Sequence, residues 1–69
     1  MKDQIKTIFE DINDLLQQEA SLTWEAKAAA EAGNVAMYEK KIAALEKVQR
    51  AIFVKRSFMD ALKSAYKDV

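Results

Sequence analysis

The chain has 69 residues, with 11 Lys plus Arg against 11 Asp plus Glu, a single Gly, and no His, Cys or Pro. These totals leave room for one small domain and exclude a disulfide framework, a thiolate metal site, the usual imidazole base or ligand, and a glycine-rich phosphate loop. The sequence therefore predicts a protein that is not an enzyme, with no cofactor and no metal site.

An apolar share of 51% and a charged share of 32% fit a globular or coiled-coil chain better than a disordered tail. No apolar run reaches the ~18 residues that span a bilayer. The opening Met-Lys-Asp-Gln-Ile-Lys lacks the apolar centre of a secretory signal. A cytoplasmic location is the expectation.

The first half reads as one long helix, about residues 3–32, because Ile5, Ile8, Phe9, Ile12, Leu15, Leu16, Leu22, Ala26, Ala29 and Ala30 fall on a 3-4 spacing. With Ile5 at heptad position a, the a sites are Ile5, Ile12, Glu19 and Ala26, and the d sites are Ile8, Leu15, Leu22 and Ala29. Asp3 lies in the first turn, where a negative charge suits the helix dipole. Ser21 and Thr23 are the weak points. Either could cap a new helix and yield a three-helix bundle, although no Glu or Gln follows three residues on to complete a capping box.

Gly33 is placed for a left-handed helix end and Asn34 for the cap of the next helix, so the turn is expected at 33–34. A turn this short makes the two helices antiparallel neighbours.

The second helix is expected over about 35–67. One stripe is Val35, Tyr38, Ile42, Leu45, Ile52, Met59 and Tyr66, with Gln49 and Arg56 as polar members; a second is Ala44, Val48, Ala51, Phe58, Leu62 and Ala65. Through Ala51-Ile52-Phe53-Val54 the helix is apolar on nearly all sides, the mark of a helix covered by more than one neighbour.

The zero net charge hides a split at the turn. Residues 1–34 carry 3 Lys against 7 Asp plus Glu, or −4, and residues 35–69 carry 8 Lys plus Arg against 4, or +4. Antiparallel pairing places residues opposite one another when their numbers total about 67. It is expected to bring Asp11 to Arg56, Glu19 near Val48 to Arg50, and Asp14 near Phe53 and Lys55. A lone hairpin has one seam and no closed core, so the fold expectation is an all-α hairpin that dimerises into a four-helix bundle.

Function is read from surfaces. Glu19, a carboxylate in an apolar seam, is expected to reach the rim or pair with Arg50 or Arg56. Trp24 falls at position f, away from the seam, and is a candidate anchor for a partner. Phe53, Val54 and Phe58 are the outlying apolar residues of the second helix, suited to self-association or to another protein. Tyr38 and Tyr66 are expected to cap the core with their amphipathic rings. Lys47, Arg50, Lys55 and Arg56 form the densest basic segment and the alternative, nucleic-acid reading. Their differing helical directions and the acidic neighbour weigh against it. The expected role is a small adaptor, inhibitor or regulator that binds another protein and itself. A purely structural subunit is a further alternative.

Overall fold

The computed structural model describes residues 2–67 in backbone and 3–65 in side chains. Helix α1 spans Lys2–Glu31 and helix α2 spans Val35–Lys67, packed against each other as an antiparallel hairpin 54 Å long.

Helix α1 runs unbroken through Ser21, so the three-helix alternative is corrected. The Thr23 hydroxyl donates to the Glu19 carbonyl at 2.8 Å. It bonds back within the helix instead of capping a new one. Without a capping partner at Trp24 or Ala26, nothing offsets the hydrogen bonds that a break would lose.

The turn has the expected chemistry. The Asn34 N–H donates to Ala29 O at 2.9 Å and the Gly33 N–H to Ala30 O at 3.1 Å, the paired bonds of a Schellman ending. Gly33 has φ +72°, a region where a Cβ meets the local backbone unfavourably. Asn34 Oδ1 accepts from Met37 N–H at 3.1 Å, capping α2. Gly33→Ala should lower stability by about 1 kcal/mol, read as a depressed melting midpoint. The added Cβ would meet nothing within 4 Å, so the loss belongs to backbone conformation alone.

The α1 side of the seam follows the expected a and d sites. Ile12, Ala26 and Ala29 are buried, and Ile5, Ile8, Leu15, Glu19 and Leu22 are half-buried. The α2 side differs from expectation. Its seam is Lys41, Leu45, Val48, Ile52, Lys55, Met59 and Leu62, with Ile52 buried and the rest half-buried. It therefore runs between the two expected stripes and takes members of each. Gln49 and Arg56, expected as its polar members, are exposed; Lys41 and Lys55 take that place. Both Lys stems lie along apolar neighbours while their ammonium groups reach the edge. Setting Leu45 and Ile52 at a puts Lys41, Val48, Lys55 and Leu62 at d.

Two ion pairs fix the register. Lys41 Nζ lies 2.8 Å from Glu25 Oε2, and Lys55 Nζ lies 3.3 Å from Asp11 Oδ2. In both, the residue numbers total 66. Asp11 thus pairs with Lys55 and not with the expected Arg56. Arg56 stands one residue further round the helix, about 100° away. Both pairs are half-open to water, and screened contacts of this kind contribute ~0–1 kcal/mol. Asp11→Ala should therefore lower stability by at most about 1 kcal/mol in a thermal melt.

Candidate interaction surfaces

Four residues make the core of the described hairpin: Ile12, Ala26, Ala29 and Ile52. Against these stand eight large apolar side chains left exposed, including Phe9 at 54%, Trp24 at 72%, Phe53 at 72%, Val54 at 63% and Phe58 at 57%. A single seam between two helices buries one stripe of each, so every apolar residue off that stripe meets water.

The overall area gives the same answer. The hairpin exposes 5436 Å², whereas a compact monomer of 7.8 kDa exposes about 4,400 Å². The excess of roughly 1,000 Å² is close to what one partner covers in a stable interface, about 800 Å².

The exposed residues fall on different sides of the rod. Trp24 points away from α2, and Lys27 Nζ sits 5.8 Å from its ring centroid, a cation–π contact on an open surface. Val54 and Phe58 are four residues apart and share one flank of α2. Phe58 lies beside the first turns of α1, where it lines an open groove of about 400 Å³ with Asp3, Gln4, Thr7 and Ile8. Phe53 is five residues from Phe58 and so points about 140° away from it. The structure thus brings Val54 and Phe58 together and leaves Trp24 and Phe53 on other sides. Phe9, at the e position beside the seam, is an exposed aromatic that the sequence reading placed with the α1 stripe. Its exposure follows from the a and d sites already filling the seam.

The basic segment is not one surface. Lys55 is tied to Asp11 at the seam; of the exposed Lys47, Arg50 and Arg56, the first two are three residues apart and share a face, while Arg56 points about 120° away from Arg50. Glu19 is half-buried and forms no ion pair among the described residues. Neither Arg50 nor Arg56 reaches it. No buried polar atom lacks a partner there, so its carboxylate ends at the rim. Tyr38 is 40% exposed near the turn, in keeping with an amphipathic cap; the Tyr66 side chain lies outside the described residues. No helix among the described residues is long and apolar enough to cross a membrane.

Compared with known proteins, the chain matches no protein-family model, no curated protein and no solved structure.

Proposed function

We propose that this chain is a non-catalytic protein-interaction module: a helical hairpin that pairs with a second copy as a four-helix bundle and binds another protein as an adaptor, inhibitor or regulator. The observation that carries this reading is the imbalance, among the described residues, between four buried residues and eight exposed large apolar ones. A chain this small with so few buried side chains has no closed core of its own, and covering its exposed apolar residues with a partner would supply one.

Trp24 is the residue assigned to the other protein. It is 72% exposed and belongs to the residue type most favoured at binding hot spots. Trp24→Ala should change thermal stability by less than about 0.5 kcal/mol. The same substitution should abolish capture of a specific partner from the native cell extract, compared side by side with the unsubstituted chain. An identical set of captured proteins would count against Trp24. No protein enriched over an unrelated helical hairpin would count against partner binding altogether.

A nucleic-acid role is the weaker reading. Phosphate binding calls for several cations on one surface; of the four basic residues only Lys47 and Arg50 share a face, and Lys55 is already engaged by a carboxylate.

A further inference from the structure

We propose that a second copy of this chain covers the flank of the hairpin that carries Phe9 and Leu16. Its α1 lies along α2 of the first copy, and both turns stand at the same end. The inference rests on the self-association reading above and specifies its face and geometry.

The two long flanks of the hairpin differ. On one, α1 presents Gln4, Asp11, Gln18 and Glu25 at its g positions, and Asp11 and Glu25 are occupied in the ion pairs to Lys55 and Lys41. Covering that flank would take both ion pairs out of water, a loss their attraction does not readily restore. On the other, the e positions of α1 are Phe9, Leu16, Thr23 and Ala30, with no charge among them. Phe9 is exposed and Leu16 half-buried there, and α2 continues the same flank with its e positions Ile42, Gln49, Arg56 and Lys63, whose two long cationic side chains can keep their heads at its edge. This flank can be dehydrated without breaking a contact the hairpin already makes.

Charge then selects the arrangement. Beside the e positions of α1 stand its b positions, Lys6, Asn13, Ala20 and Lys27; the b positions of α2 are Glu39, Glu46, Phe53 and Asp60. Among the described residues, none of the four charged groups Lys6, Lys27, Glu39 and Asp60 holds an ion pair within the hairpin. A two-fold axis parallel to the helices keeps both turns at one end and sets α1 of each copy against α2 of the other. Heights along the rod are then preserved, so residues whose numbers total 66 come level across the interface. Lys6 meets Asp60 and Lys27 meets Glu39, each pair occurring twice in the dimer. Arg56 comes about level with Phe9 of the second copy, whose ring its planar guanidinium can cover. An axis across the helices would put the turns at opposite ends and α1 against α1. That brings Lys6 to Lys27 and Glu39 to Asp60, which is like charge on like charge at every such site. The paired positions thus carry opposite polarity at one register: acid on α1 and base on α2 within the hairpin, and, at the b positions, base on α1 and acid on α2 toward its second copy, with Arg56 and Lys63 as further cations of α2 on that flank.

The chain has no Cys of its own, so introduced thiols report only the intended contacts. Single variants Lys27→Cys and Glu39→Cys, one of them tagged, are unfolded, mixed and refolded, then treated with a short bismaleimide. The pair Lys6→Cys and Asp60→Cys is treated alike. Both mixtures should give a covalent heterodimer, and a mixture of Lys6→Cys with Lys27→Cys should not. Cross-linking in that third mixture, with none in the first two, would overturn the arrangement in favour of opposed turns. No cross-link in any mixture, with a dimer still present in sedimentation, would place the interface on another flank and overturn the face. A monomer in sedimentation would remove the self-association reading itself. As a second variant, Lys6→Glu with Lys27→Glu should weaken the dimer about tenfold, from four rim pairs of modest strength each. No change in the dissociation constant would contradict the charge pairing.

Discussion

Ile52→Ala should lower stability by about 2–5 kcal/mol, the range for emptying a buried aliphatic site. Ile52 is 6% exposed, and it is one of only four buried residues among those described. It lies level with Leu15 across the seam, midway along the rod, so the cavity has no second layer of side chains to close over it. For a chain this size each kcal/mol moves the melting midpoint by ~4–8 °C. Circular dichroism should therefore show a drop of at least about 10 °C, or loss of the transition altogether. A change under about 1 kcal/mol would mean that the α1–α2 seam is not what holds the helices together.

Phe9→Lys should dissociate the proposed dimer by about a hundredfold or more, because it places a second cation level with Arg56 of the second copy inside the covered flank. Phe58→Lys, on the opposite flank beside Gln4 and Thr7, should leave the dissociation constant within about threefold, inside the ordinary range for substitutions away from an interface. The two aromatics are similarly exposed, at 54% and 57%, so hydrophobicity alone predicts equal effects. Sedimentation of both variants separates the cases. Equal weakening would assign self-association to general stickiness, and the reverse order would move the interface to the Phe58 flank.

Much of the hairpin is written in short-range chemistry. The a and d sites from Ile5 to Ala29 read correctly because α1 has one dominant apolar stripe. Gly33 and Asn34 read correctly because a left-handed residue and a side-chain cap are tied to particular residue types. Helix α2 was less legible. Apolar residues cover most of its girth through Ala51-Ile52-Phe53-Val54, so periodicity admits two stripes and names neither as the seam. Hydropathy also ranks Lys41 and Lys55 as surface residues, although a Lys stem fills a seam site well once a carboxylate waits at the edge. Glu25 and Asp11 supply those carboxylates, and only the three-dimensional register shows it. The shift from Arg56 to Lys55 as the partner of Asp11 follows from the same one-residue rotation.

Among the interaction residues, Trp24 is exposed on the side of α1 turned away from the seam, as the heptad placed it. Phe53, Val54 and Phe58 were grouped as the outlying apolar residues of α2, whereas a helix separates neighbours by about 100° per residue and so sets Phe53 apart from the other two. Phe9 was absorbed into the α1 stripe for the opposite reason: its spacing fits, yet Ile5, Ile8 and Ile12 already occupy the positions that face α2. The net charge of zero hides two balances, one between the helices of a hairpin and a second, of reversed sign, at the b positions of the proposed outer flank.

Sedimentation equilibrium of the unsubstituted chain over a wide concentration range distinguishes a self-pairing hairpin from a solitary one. The mass should approach twice 7.8 kDa at high concentration and fall reversibly toward a single chain on dilution, with a melting midpoint that rises with concentration. A compact species of 7.8 kDa at every concentration, melting cooperatively at one fixed temperature, would contradict it.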